Sequence, residues 1–301
     1  MKNVRNSPRW IRPVVFVFLI FSAVLFPGCE YGIWEGFYRP NGVYERVQNL
    51  VDIDDSETES LVSSIAGKTY SFLVVSDIHC GKSEQSRENV DRLLHWLGLR
   101  VDIPDFCVTL GDSADHGRAD EMDTYLELER RLKGLGLKNV YNVLGNHDLY
   151  NSGWNAWKEK MYPHTSFYRF STGKISYYFL DTASGSLGKK QMELLRSAME
   201  ADGLPKFVFT HYPVYSDVNL GFCGLQESTE GDLLMDLFHK NNVVQVVEGH
   251  THVYGEKDFP HYKEVNAPSL YKEANWLLYT VNEQTMEITY RVVRSGFLSL
   301  P

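Results

Sequence analysis

Phe72-Leu73-Val74-Val75-Ser76-Asp77-Ile78-His79 is the stretch from which the fold can be read. Four consecutive apolar residues, half of them β-branched, describe a short strand buried on both faces. Such strands lie in sheets covered by helices, and here two polar groups, Asp77 and His79, arrive where the strand runs out. Downstream, Val90, Leu93, Leu94 and Leu97 repeat at helical spacing. A second strand ends at Thr109-Leu110-Gly111-Asp112. A helix is expected from about Asp120, with Met122, Tyr125, Leu126 and Leu132 inward and Gly134 near its stop. Val140 to Leu144 is a third strand and runs into Gly145-Asn146-His147-Asp148.

The rhythm then changes. Phe167 to Phe170 and Ile175 to Leu180 read as a hairpin around Thr172-Gly173. A helix from about Lys189 to Ala201 leads to the strand Phe207-Val208-Phe209-Thr210, which ends at His211. Another helix, about Gly231 to Lys240, leads to Val243 to Val247 and then Gly249-His250-Thr251-His252. From Tyr262 to Val293 the chain is mostly alternating and β-like. Alternating strands and helices with extra β segments imply an α/β fold in which two packed sheets carry helices outside. An aromatic content of 13% suits a β-rich core or an exposed aromatic rim.

Five strands therefore end in Asp77-Ile78-His79, Gly111-Asp112, Asn146-His147-Asp148, His211 and His250-Thr251-His252. Groups at the carboxyl ends of strands in open α/β sheets converge on one crevice. A Gly-Asp alone is commonplace, and a lone histidine such as His211 is ordinarily structural. Five such groups, each at a strand end, are not coincidental. Their donors are imidazole, carboxylate and one amide, a set that suits Mn, Fe or Zn.

This order of motifs resembles the calcineurin-like metallophosphoesterase superfamily over about Tyr70 to Val253. The resemblance implies a four-layer α/β/β/α double β-sandwich with a dinuclear metal centre. Asp77, His79, Asp112 and His252 would hold one metal. Asp112, Asn146, His211 and His250 would hold the other, with Asp112 bridging. His147 matches the family's non-ligand histidine near the leaving group, and Asp148 would orient it. Asn146 and His147, with His116 beside the second motif, are the expected substrate contacts. Such a centre implies phosphate-ester hydrolysis by a bridging hydroxide. The intermediate motifs, Tyr177 to Asp181 and Gln191 to Leu195 among them, are similar to the cyclic-nucleotide phosphodiesterase branch, which favours diesters. The purple acid phosphatase branch fits less well, because its metal-binding Tyr falls where Asp115 stands. A phosphomonoesterase or nucleotidase of the same fold is the alternative. A metal-binding surface lipoprotein without turnover is the rival from another class.

Several neighbours have two readings. Asp115 suits hydrogen bonds in the loop, and Cys80 reads as a buried small residue or a group supporting His79. Tyr150, Trp154 and Trp157 could form an aromatic wall or a helix packing stripe. Cys107 sits in an apolar run and reads as core. With Cys223 these make an odd number of widely spaced thiols beyond Cys29, which argues against a disulfide framework.

The N-terminus reads separately from the fold. Lys2, Arg5, Arg9 and Arg12 precede an apolar stretch from Val14 to Phe26 and then Pro27-Gly28-Cys29. The stretch is short for a membrane span and suits a signal peptide. A small residue before Cys29 resembles the bacterial lipoprotein cleavage site, with Cys29 lipidated; an uncleaved anchor is the alternative. The expected organisation is residues 1–28 as signal peptide, 29–68 as a tether whose acidic half is spacer, and 69–301 as the catalytic domain. The protein is then exported and membrane-anchored, on the periplasmic or cell-surface side. Without residues 1–28 the chain has 26 Lys and Arg against 39 Asp and Glu, a formal charge of −13. Such a surface repels extended nucleic acid, so the expected partner is a small phosphate ester.

Overall fold

The computed structural model describes residues 42–215, 224–226 and 228–295. They begin with helix α1 (Val43–Arg46), strand β1 (Val51–Asp52) and helix α2 (Ser56–Ile65). β2 (Thr69–Val75), α3 (Glu84–Gly98), β3 (Phe106–Thr109), α4 (Ala119–Gly134) and β4 (Asn139–Asn142) follow. A 3-10 turn (His147–Ser152) leads to α5 (Gly153–Lys160), then the hairpin β5 (Tyr168–Ser171) and β6 (Ser176–Phe179). Next come α6 (Gly188–Ala201), β7 (Lys206–Phe209), α7 (Ser228–Lys240) and β8 (Val243–Glu248). The chain closes with β9 (Gly255–Asp258), β10 (Lys263–Asn266), α8 (Leu270–Glu273), β11 (Asn275–Asn282) and β12 (Glu287–Arg294).

The strands form two sheets. One has the order β12-β11-β2-β3-β4, the other β1-β5-β6-β7-β8-β10-β9. β2, β3 and β4 are parallel neighbours, as are β7 and β8, so all five of their carboxyl ends can serve one site. Alternation along β2 divides its side chains between two cores. Phe72 and Val74 face the second sheet, while Leu73 and Val75 face α3 and α4. The inter-sheet core is aromatic: Phe72 stacks on Phe106 at 4.8 Å and on Tyr279 at 4.9 Å, and meets Phe207 edge-on at 5.6 Å. Among the described residues, aromatic side chains are thus most numerous between the sheets. On the outer face of the second sheet, Tyr178, Val208 and Val246 pack with Leu195 of α6 and Leu234 and Phe238 of α7. The result is the expected helix, sheet, sheet, helix layering.

Several details depart from the sequence expectation. The acidic stretch Asp52 to Glu59 is not spacer: the Asp55 side chain accepts from the Thr58 amide at 2.8 Å and caps α2, whose Leu61 and Ile65 are buried in the inter-sheet core. Glu57 and Glu59 are first-turn acids, favourable at a helix N-terminus, and only resemble a solvated charge run. Farther upstream, Arg46 makes a buried two-pronged ion pair with Asp181 at 2.7 and 2.8 Å. In α4 the inward position falls to Leu128, with Leu126 at the margin of the core. β9, with the sequence Gly-Glu-Lys-Asp, is too polar to announce itself. Residues 1–41, including Cys29, lie outside the described residues, as do residues 216–223, with Cys223 among them.

Candidate metal centre

Three of the five strands, β2, β3 and β8, deliver their polar groups by turning sharply as they end. Asp77, His79, Asp112, His250 and His252 all have left-handed backbone, with φ of 51, 50, 51, 69 and 62°. This region is costly for residues other than glycine and recurs at functional sites. Space is equally tight: a Cβ on Gly145 would lie 2.1 Å from the Asp112 amide nitrogen. Glycine there lets the second and third loops touch.

Two donor sets result. Asp77, His79, Asp112 and His252 bring one ligand atom each within 4.8 Å of one another, and Asp112, His211 and His250 do the same. Nε2 of His79 and Nε2 of His252 face each other at 3.3 Å. Asp77 Oδ1 is buried without a hydrogen bond and lies 3.1 Å from His252 Nε2. In the second set, Asn146 Oδ1 is 2.9 Å from His211 Nε2 and 3.1 Å from His250 Nδ1. Asp112 stands between them, with Oδ2 3.8 Å from His79 Nε2 and Oδ1 3.4 Å from His211 Nε2. Lone pairs thus converge on two points with few protons to share, an arrangement that repels itself unless cations are bound. The residues fit two metal ions, and the sequence-read ligands are all brought together.

Hydrogen bonds to the opposite ring nitrogens fix the tautomers. His79 Nδ1–H donates to Asp115 Oδ1 at 2.9 Å and His211 Nδ1–H to the Leu110 carbonyl at 2.7 Å, leaving Nε2 of each to face inward. Asp77 receives the Ser76 hydroxyl at 2.5 Å and the His250 amide at 3.2 Å on Oδ2. Burial alone would raise the Asp77 carboxyl, but the neighbouring rings of His252, His211 and His79 prevail and hold it below the usual carboxylate range.

His147 lies beside both sets without joining them. Its ring is edge-on to His79 at 4.6 Å, and Nδ1–H donates to the Asp115 carbonyl at 2.7 Å, so Nε2 is the free end. Burial holds its imidazole below the ordinary histidine range, against the pull of Asp112. The expectation that Asp148 orients His147 is corrected here. The Asp148 carboxylate points away, accepting the amides of Ala114 and Gly145 at 2.9 Å each, and so ties the second loop to the third. His116 Nδ1 lies 3.0 Å from Asp115 Oδ2, and the His116 side chain is 28% exposed at the rim. Trp154 and Trp157 are core, the packing-stripe reading, while Tyr150 faces the site with its ring 4.6 Å from that of His147. Cys80 is the buried small residue, its thiol pushed up to about 12 by burial and then by the charges of Asp148 and Glu121.

Three further residues line the rim: Tyr212, which directly follows His211 in the fourth motif, and Tyr271 and Lys82, which belong to no motif. Tyr212 stacks on His250 at 3.8 Å, Tyr271 lies 5.6 Å from His79, and Lys82 Nζ binds Asp115 Oδ1 at 2.7 Å. Lys82 could have been suspected from its place three residues after His79. Tyr271 arrives on α8, far away in sequence, and had no local signal.

A double sandwich whose parallel strands end in two donor sets sharing one carboxylate defines a metal-dependent hydrolase. The chain belongs to the calcineurin-like phosphoesterase family, whose profile matches residues 70–254. It is accordingly a metal-dependent phosphoester hydrolase. Among solved structures, a dimetal phosphatase from Danio rerio is similar, with a TM-score of 0.62 at 13% identity, covering 76% of this chain and 97% of that one. GAP50, the anchor in the inner membrane complex of Plasmodium, gives 0.61 at 16% identity over 76% and 85%. A purple acid phosphatase from yellow lupin gives 0.53 at 12% identity over 76% and 54%. At these identities the likeness is one of fold. A search of curated proteins finds no match.

Proposed function

We propose that the protein hydrolyses phosphodiesters of small molecules at a dinuclear centre of Mn, Fe or Zn, held by the two sets that share Asp112. The observation that carries this reading is the Asp112 carboxylate, set between His79 on one side and His211 on the other. Metal ions bound there supply Lewis-acid charge for the phosphoryl oxygens and an ionised water at neutral pH. The protein's own groups supply the rest. Left-handed turns and hydrogen-bonded imidazoles hold the ligands in place before substrate arrives. His147 serves the leaving group: with Nδ1–H fixed on the Asp115 carbonyl, the proton it gives is one carried on Nε2. An alkoxide, the poor leaving group of a natural diester, needs that proton most.

The test uses metal-loaded protein and a series of diesters with leaving groups of graded basicity. Wild type is expected to cleave diesters more efficiently than the matching monoesters. His147→Ala should lose roughly 10²–10⁴-fold on alkyl leaving groups and far less on 4-nitrophenolate. Equal losses across the series would remove His147 from proton transfer, and a preference for monoesters would favour the phosphatase alternative.

Export and lipid anchoring at Cys29 complete the proposal, supported by the basic and apolar segments before it. Among the described residues no helix is long and apolar enough to cross a membrane. Cys29→Ala should move the protein from the membrane to the soluble fraction; unchanged fractionation would rule lipidation out.

A further inference from the structure

We propose that Lys82 and Tyr271 form a ledge that selects substrates whose leaving part carries a second anionic group, a carboxylate or a further phosphate. The inference rests on the phosphoester reading and adds the charge of the leaving part to it.

Lys82 is fixed close to the chemistry. Its amide donates to the His79 carbonyl at 3.1 Å, so the residue sits one turn from a metal ligand. Its ammonium binds Asp115 Oδ1 at 2.7 Å, the same oxygen that accepts from His79 Nδ1 and lies 3.9 Å from His147 Nδ1. One carboxylate therefore separates the Lys82 charge from both a metal-binding imidazole and the imidazole that faces the leaving group. The ammonium also stands 5.3 Å over the ring of Tyr271. Tyr271 is anchored in turn, its amide donating to the Asp77 carbonyl at 3.1 Å and its carbonyl accepting from Asn89 Nδ2 at 2.7 Å.

The cation is not needed to satisfy Asp115. That carboxylate already accepts from His79 Nδ1 and has His116 Nδ1 at 3.0 Å from its other oxygen. Nor does a partly exposed ion pair add much stability. The Lys82 side chain is 32% exposed, and of its three N–H donors one is used among the described residues. On a chain of formal charge −9, a positive charge with donors to spare beside the leaving-group histidine is a local attraction for anionic oxygen. Tyr271 offers a flat apolar surface against which the carbon skeleton between the two anionic groups can lie.

The experiment compares benzylphosphonate with 4-carboxybenzylphosphonate, which keep the phosphorus and differ in the distal charge. Calorimetric titration of metal-loaded protein should show tighter binding of the carboxylated compound. Lys82→Met should cut that preference about tenfold, and Lys82→Arg should retain most of it. The corresponding methyl phenyl and methyl 4-carboxyphenyl phosphate diesters should show the same change in KM rather than in kcat. Absence of a preference in wild type, or equal weakening of both phosphonates in Lys82→Met, overturns the ledge and leaves Lys82 as a brace for Asp115. Failure to hydrolyse either diester, with the binding preference intact, would instead remove the hydrolytic reading and leave the ledge standing.

Discussion

Asp112→Asn is expected to keep its fold and lose phosphoester hydrolysis by more than about 1000-fold, beyond what loss of a single oriented hydrogen bond costs an active site. The substitution is nearly isosteric, and the amide oxygen can still accept from the His147 amide, which donates to Asp112 Oδ1 at 2.8 Å. What it removes is one lone-pair-bearing oxygen and one negative charge. An amide NH2 cannot ligate, so one of the two directions from this residue, toward His79 or toward His211, is lost. Without metal, Asp112 and Asp148 are two buried carboxylates that repel each other; the Asp148 carboxyl is raised by burial first and then by the Asp112 charge. Metal-free Asp112→Asn should therefore melt no lower than metal-free wild type. Steady-state kinetics on metal-loaded protein and melting of the apo form check both halves, and a low apo melting temperature would recast Asp112 as a folding residue.

The second large effect falls on stability. Arg46→Met should destabilise the protein by about 3–5 kcal/mol, because breaking a buried ion pair leaves its partner charge uncompensated. Both side chains of the pair are 0% exposed. Asp181 would keep the Ser166 hydroxyl at 2.7 Å and the Ala183 amide at 3.2 Å, too little to replace a guanidinium fork. Arg46 precedes the family match by more than twenty residues, so this pair fastens α1 to the segment that follows β6. Replacing both partners, Arg46→Met with Asp181→Leu, should recover part of the loss. Denaturant unfolding of wild type and the two variants measures this. A single variant within about 1 kcal/mol of wild type would mean that the N-terminal segment is only laid on the surface.

The contrast between these positions marks how far the sequence could be read. Asp112 was legible because a buried strand is a run of apolar residues and the polar group that stops it stands out. The same held for Asp77, His79, Asn146, His211, His250 and His252. Arg46 was not legible, since a lone arginine before a capped acidic helix looks like surface until Asp181 is brought to it from 135 residues away. Backbone handedness was hidden too. Glycine announces a left-handed turn, whereas Asp77, His79 and Asp112 adopt one with no compositional mark. Sequence adjacency misled at Asp148, because the 3-10 turn after Asn146 sends the His147 ring toward the cleft and the Asp148 carboxylate inward to two amides. Tyr271 and Lys82 meet only because α8 packs against α3, a tertiary event that no local window contains.

The measurement closest to the central claim is metal content per chain, by elemental analysis, of reconstituted wild type beside Asp112→Asn. Two donor sets sharing one carboxylate require two equivalents of metal in wild type, lost with activity on chelation, and fewer than two in the variant. One equivalent or none in active wild type, or two in fully active Asp112→Asn, would contradict a dinuclear centre bridged by Asp112.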